Sequence, residues 1–360
     1  MHPLFGADVS TLMRLLRQNG PVAPAHLPDV AIAGLSALGR APFRLGEKAH
    51  VAWARRKHSP MPPPIFIIGH WRSGTTHLYN ILSKGGFGYV SPFAAGMPLE
   101  CLTLGRWLRP LLTRMLPKTR YVDQMAVDPE SPQEDEIPLA SMAPISFYHG
   151  VYFPRHFELH MNRSFFLDGC TQEEIKIWEA AFQAFIEKLW LDQRRQLLIK
   201  NPTYSARIPQ LRRLFPDACF IHIYRNPHAV FRSTRRFYKT LIDKFAWQHV
   251  DHLDFDRLVL QSYRRMMEQI DIDKQSICGD RFVELRYEDL DAQPIQEVER
   301  IYRQLDLGDI KPWRAKFQAY LASVEGFQKS FIPETTDDRL KVERHCGDLL
   351  ERFGYAALGS

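Results

Sequence analysis

The run Pro-Ile-Phe-Ile-Ile-Gly-His-Trp-Arg-Ser-Gly-Thr-Thr, from Pro64 to Thr76, constrains the fold of this chain more than any other stretch. Its apolar residues Ile65 to Ile68 predict a buried strand, which opens at Gly69 into a loop closed by Gly74. Leu78, Ile81 and Leu82 then recur at helical spacing. Such a strand–loop–helix junction aims successive backbone N–H groups and a positive helix end at one point, a seat for a phosphate-type anion. An ordinary glycine-bearing strand–helix turn is the competing reading.

Gly69, Gly74 and Thr76 fill three positions of the nucleotide-binding pattern G-x-x-x-x-G-K-[ST], but Thr75 stands where that pattern has lysine. The main grip on the β- and γ-phosphates of a nucleoside triphosphate is therefore missing. Arg72 supplies a cation within the loop instead, and a planar guanidinium suits the oxygens of an anion such as a phosphosulfate. A second segment repeats the design. Cys219 to Tyr224 reads as a short apolar strand, followed directly by Arg225 and, eight residues on, by Ser233. Pro227 favours a helix start between them, which places Ser233 about two turns along that helix.

Taken together, these segments resemble the sulfotransferases that use 3′-phosphoadenosine 5′-phosphosulfate, PAPS. Arg72-Ser-Gly-Thr-Thr76 looks like their 5′-phosphosulfate loop, and Arg225 with Ser233 matches the spacing of their 3′-phosphate site. The resemblance implies donor binding by Arg72, Ser73, Gly74, Thr75, Thr76, Arg225 and Ser233, with Tyr287 of Arg286-Tyr-Glu-Asp-Leu290 near the adenosine. Gln328-Lys329-Ser330 resembles a basic segment that some members bring against the 3′-phosphate, which adds Lys329; an ordinary surface lysine is the alternative. Lys200, at the end of an apolar strand and before Asn201-Pro202, is implied to stabilise charge during transfer. The similarity spans about residues 62–355. It implies adenosine 3′,5′-bisphosphate as product and fixed cations doing the work without a metal.

The general base is less defined. A hydroxyl nucleophile needs a carboxylate or imidazole within reach of its proton. Ser131-Pro-Gln-Glu-Asp-Glu136 resembles an acidic run found in many bacterial members, which puts Glu134 forward ahead of Asp135 and Glu136. Ser131 and Glu134 also fit a helix capping box, and acidic residues in a first turn are favoured by the helix dipole alone. Glu100 is the rival base. His70, His77 and His149 read as packing or surface histidines.

Along the chain, strands alternate with helices. Thr171 and Glu174 form a capping box opening a helix to about Gln196, with Ile175, Trp178, Phe182, Phe185 and Leu189 on one face. Strands follow at Leu197–Lys200, at Cys219–Tyr224 and between Arg281 and Tyr287. The expectation is an α/β fold, a three-layer parallel sheet flanked by helices, like the P-loop NTPases. Gly69, Lys200, Arg225 and Tyr287 all fall at strand carboxyl ends, where ligands bind in such sheets. Residues 1–60 read as an amphipathic helical N-terminal extension packed on the core, with 61–360 as the sulfotransferase domain; the prolines of Ser59 to Pro64 stiffen the join.

Composition bounds the remaining classes. The net charge of +6 comes from 47 basic against 41 acidic residues, a surplus that favours an anionic donor without pointing to nucleic acid. The five cysteines, at 101, 170, 219, 278 and 346, include no C-x-x-C pair and read as reduced thiols of a cytoplasmic protein. The apolar region from Phe93 to Leu116 is interrupted by charges and prolines and cannot span a bilayer, which leaves core cover or peripheral membrane association. Phe93, Met97, Leu102, Trp107, Leu108 and Leu111, with Phe147, Tyr148, Tyr152 and Phe153, suggest an apolar wall. The expected reaction is sulfuryl transfer from PAPS to a hydroxyl, or secondarily an amine, of a small molecule, lipid or glycan with an apolar portion. A P-loop-type kinase and a nucleic-acid binder using Arg232, Arg235 and Arg236 are the alternatives. The oligomeric state is left open.

Overall fold

In the computed structural model, residues 2–57, 60–115, 129–251, 253–326 and 332–355 are described. The apolar tetrapeptide forms β1 (Ile65–Ile68), all four residues being fully buried, as expected of a strand covered on both faces. β2 is Leu198–Lys200, β3 Cys219–Tyr224 and β4 Phe282–Arg286. β1 pairs with β3 and β3 with β4, all parallel, with Ile65 opposite Cys219 and Phe220 opposite Phe282. On the other side of β1, the N–H of Asn201 donates to Ile67 O at 3.4 Å, and the strand order is β2-β1-β3-β4. The fold is mixed α/β with a central sheet flanked by helices.

The chain divides into two compact units. One comprises Met1–Pro62, Gly88–Ile199 and Leu241–Asp251; the other comprises Pro63–Phe87, Lys200–Thr240 and His252–Ser360. In the first, α1 (Val9–Asn19) is capped by Asp8, whose carboxylate accepts from Thr11 N–H at 2.7 Å, and it buries Leu12 and Leu15. α2 runs from Leu27 to Arg55. The helix Gln172–Gln193 opens with the reciprocal Thr171–Glu174 capping box and buries Trp178, Phe182, Phe185 and Leu189. The rings of Trp178 and Phe182 stack at 5.4 Å.

Two expectations for this unit are corrected. Ser131 and Glu134 open no helix: residues 131–134 are irregular and the helix is Glu136–Ala140. The Gln133 N–H donates to Val90 O at 2.8 Å, which ties this irregular segment to the chain after Gly88. The apolar wall is also divided. Phe93, Met97, Leu102, Phe147, Tyr148, Tyr152 and Phe153 are core residues, whereas Trp107 and Leu111 face solvent.

The second unit holds β1, β3, β4 and α3 (Thr75–Leu82), together with the start of the helix Pro227–Phe245. His222 and Glu284 face each other across β3 and β4 with Nδ1 2.8 Å from the carboxylate. Burial opposes ionisation of Glu284, but the His222 contact and Lys274 hold its carboxyl down at about 2. The Glu284 carboxylate therefore stays ionised opposite His222 until strong acid, and the contact ties β3 to β4. Among the described residues, no helix is long and apolar enough to cross a membrane.

Candidate active site

The loop after β1 lies so close to β3 that only glycine can begin it. Gly69 has φ +135°, and a Cβ built on it would stand 2.2 Å from Ile223 O. Its N–H donates to Ser205 Oγ at 2.7 Å. The Ser73 hydroxyl turns back on the scaffold, 2.7 Å from His70 O and 3.0 Å from Ile223 O. Its N–H also donates to His70 O, at 3.2 Å. His70 is buried, which pushes its imidazole down to about 4, so it adds no positive charge to the loop near neutral pH. Gly74, at φ 99°, caps α3, and Thr75 and Thr76 open that helix.

Arg72 supplies the loop's charge from a strained backbone. Its φ of 69° lies in the left-handed region, which costs a residue with a Cβ about 1–2 kcal/mol. The result is an inward guanidinium: Nε donates to Ser233 Oγ at 2.8 Å. The loop motif and the β3 motif, separated by 161 positions in sequence, therefore meet directly. Arg225, at the end of β3, lies with Nη1 3.4 Å from Arg72 O and with its guanidinium 4.4 Å from the centre of the Tyr287 ring. That ring also lies against the loop, since a Cβ on Gly74 would come within 2.2 Å of it. Arg72, Gly74, Arg225, Ser233 and Tyr287 thus form one cluster within the second unit.

Lys200 restores a lysine to the loop from outside it. Its side chain is buried, with Nζ 3.3 Å from Thr76 Oγ1 and 6.0 Å from the centre of the Tyr79 ring. The tripeptide after it is held rigidly. Asn201 Oδ1 accepts from the N–H of Thr203 at 3.0 Å and from its hydroxyl at 2.9 Å, which fixes the turn that delivers Ser205 to Gly69. Asn201, Ser205 and Thr234, whose hydroxyl donates to Trp71 O at 3.3 Å, were not singled out from sequence. The Asn-Pro step after the strand was the one available signal.

Glu288 serves the scaffold beside Tyr287, accepting from Asn226 N–H at 3.3 Å and from the Tyr355 hydroxyl at 2.7 Å. The basic residues along the helix after Arg225 are largely neutralised: Arg232 pairs with Glu334, and Arg235 with Asp256 and Asp338, while Arg236 is exposed.

The candidate bases belong to the first unit. Glu136 is buried and accepts the N–H of Phe147 at 2.6 Å, capping the next helix. Asp135 is buried just before the helix Glu136–Ala140, and Glu134 is half-buried. Glu100 is fully buried and takes a 2.6 Å ion pair from Arg40, with Arg44 at 3.6 Å. Burial raises its pKa more than these arginines lower it. Lys329 lies outside the described residues.

The sequence model of the sulfotransferase family matches residues 63–311, which include the loop, β3, the start of the helix bearing Ser233, and Tyr287. The chain belongs to the sulfotransferase family. It is 32% identical over 306 residues to the omega-hydroxy-beta-dihydromenaquinone-9 sulfotransferases Stf3 of Mycobacterium bovis and Mycobacterium tuberculosis, an alignment covering 81% of this chain and 75% of each relative. In fold it matches the sulfotransferase STF9 of Mycobacterium avium at a TM-score of 0.66, with 17% identity over 97% of this chain and 93% of that one. The sulfotransferase STF1 of M. tuberculosis matches at 0.61, with 15% identity over 94% and 90% of the two chains. The protein is accordingly an enzyme of sulfuryl transfer, and the kinase and nucleic-acid alternatives are set aside.

Proposed function

We propose that this sulfotransferase moves the sulfuryl group of PAPS to a hydroxyl of an apolar acceptor. The observation that carries the donor assignment is the 2.8 Å contact between Arg72 Nε and Ser233 Oγ, with Arg225 beside it on Arg72 O. It gathers two cations and the start of α3 into one cluster, a match for a nucleotide carrying anionic groups at both its 3′ and 5′ positions. The residues fit such a donor in a second respect. Gly74 lacks the Cβ that would collide with the Tyr287 ring, so an aromatic face lies directly against the loop.

The loop N–H groups at the start of α3, with Thr75, Thr76 and Arg72, would hold the 5′ end, and Arg225 and Ser233 the 3′-phosphate. Lys200 would sit against the loop through Thr76 and answer the charge that develops on the bridging oxygen. PAPS supplies an activated sulfuryl group whose bond to the phosphate oxygen breaks as the acceptor oxygen bonds to sulfur. The acceptor proton leaves to a carboxylate, for which we assign Glu134 of the acidic run. Glu136 is committed to capping a helix and Glu100 to Arg40, which leaves them poorly suited.

The acceptor class rests on similarity to Stf3, whose name specifies an omega-hydroxylated dihydromenaquinone. By that likeness the acceptor here is an alcohol on a long apolar chain. Incubating the enzyme with ³⁵S-labelled PAPS and an omega-hydroxylated quinone lipid should carry label into the organic phase as a sulfate ester. Label that enters only water-soluble products would overturn the acceptor class, and the absence of transfer to any acceptor would overturn the donor.

A further inference from the structure

α2 carries its apolar side chains outward. Leu35, Leu38 and Leu45 are 70%, 61% and 71% exposed, and Ile32, Phe43 and Trp53 are each about half exposed. Leu35, Leu38 and Leu45 belong to one stripe, in which exposed positions recur at 28, 31, 35, 38, 42, 45, 49 and 52, the alternating three- and four-residue step of a single helix face, and Ile32, Phe43 and Trp53 flank it one position on. Over a helix of 29 residues, about 40 Å at 1.5 Å per residue, this is far more than scattered surface leucines. The opposite face is spent on the first unit: Ala33, Ala37, Arg40, Glu47 and Ala54 are buried.

The charge on α2 indicates what covers the stripe. Lys48 in the C-terminal half of this helix and Arg56 and Lys57 just beyond its end are exposed, with Lys57 Nζ 4.0 Å over the Trp53 ring. α2 carries two acids, and neither lies in its basic C-terminal part as an exposed group. Asp29 pairs with His26 at 3.2 Å, while Glu47 is buried against Lys188 and the N–H groups of Leu102 and Thr103. Those last contacts tie the entry of the helix Leu104–Met115 to α2, and that helix adds exposed Trp107 and Leu111 beside exposed Arg114, while Arg106 and Arg109 are paired with Asp192 and Glu130. Two apolar faces with tryptophan and cations at their margins, and acids withdrawn from one of them, complement anionic headgroups over an acyl layer. A second copy of α2 would offer these cations a single partly exposed carboxylate, Asp29, at the opposite end of the helix.

We propose that the exposed face of α2 is a docking surface for a bilayer bearing anionic lipids, on which the helix lies without spanning. The proposal rests on this surface alone and not on the identity of the acceptor. The test is flotation of the full chain with phosphatidylcholine vesicles containing phosphatidylglycerol, against pure phosphatidylcholine and against rising salt. The protein should float with the anionic vesicles, less with the neutral ones, and less as salt screens the basic flank. Leu35→Glu/Leu38→Glu/Leu45→Glu should cut partitioning about tenfold or more. Because these side chains are exposed, its far-UV circular dichroism and melting should stay as in the parent. Failure of the parent to float with any vesicle overturns the proposal, as does flotation of the triple variant equal to the parent's. Concentration-dependent dimerisation that the triple variant abolishes, without vesicle binding, would assign the face to a second copy instead.

Discussion

Replacing Arg72 by alanine is expected to lower kcat and kcat/KM together by about a hundredfold, the order associated with losing one preorganised donor from a developing anion. The guanidinium is held in place by Ser233 Oγ at 2.8 Å and springs from a backbone at φ 69°, so the chain accepts strain to aim it inward. Lysine at this position should recover only part of the activity, because a point charge replaces a planar fork. Arg72→Gly gives a sharper distinction. It removes the contact to Ser233, worth about 1 kcal/mol, but also relieves about 1–2 kcal/mol of left-handed strain. Its stability should therefore stay within about 1 kcal/mol of the parent while activity collapses as in the alanine variant. Steady-state sulfation assays and urea unfolding measure the two quantities separately. An Arg72→Ala enzyme within threefold of the parent would remove Arg72 from the catalytic machinery.

Gly69→Ala should be the most destabilising single-methyl substitution in the loop. The added carbon would meet Ile223 O at 2.2 Å, a backbone atom of the neighbouring strand, and it would occupy φ +135°, where a Cβ is strained. The nearest atom is backbone rather than a flexible side chain, so relief requires β1 and β3 to part. The cost is about 4 kcal/mol, in the range of severe core disruptions, and should be read as a lower urea midpoint with loss of soluble enzyme. Gly39→Ala is the internal control. Gly39 is an exposed residue of α2 with no atom within 4 Å of its built Cβ, so alanine there should stabilise by about 0.5–1 kcal/mol through helix propensity. Equal effects from the two substitutions would contradict the close approach at the head of the loop.

Local signals made much of this architecture legible. β1 is an unbroken apolar run ended by Gly69, β3 a run interrupted only by His222 and followed by Arg225, and the helix after Thr171 announces itself through a reciprocal cap, so each is specified by neighbours in sequence. Interactions that depend on distant partners were not legible. Nothing near Ser73 indicates that its hydroxyl turns to the carbonyl of Ile223, 150 positions away, or that Ser205 meets Gly69. The acidic run from Ser131 carries a good local capping pattern, yet residues 131–134 are irregular, Gln133 N–H bonds the distant Val90 O, and the helix begins only at Glu136. Periodicity reveals that a helix has an apolar face but not where that face looks. Trp178 and Phe182 turn inward, whereas Leu35 and Leu45 on an equally regular stripe turn to solvent.

The central claim is that one adenine nucleotide is gripped at both of its anionic ends by the loop after β1 and by the Arg225–Ser233 segment. Thermal unfolding with adenosine 3′,5′-bisphosphate, compared with ATP and magnesium at equal concentration, tests this most directly. Ligand at about a hundred times its Kd should add about 2.7 kcal/mol of stability, and that gain should shrink in Arg225→Ala, with ATP giving little. Stabilisation by ATP equal to or above that of the bisphosphate, or no response to the bisphosphate, would contradict the account.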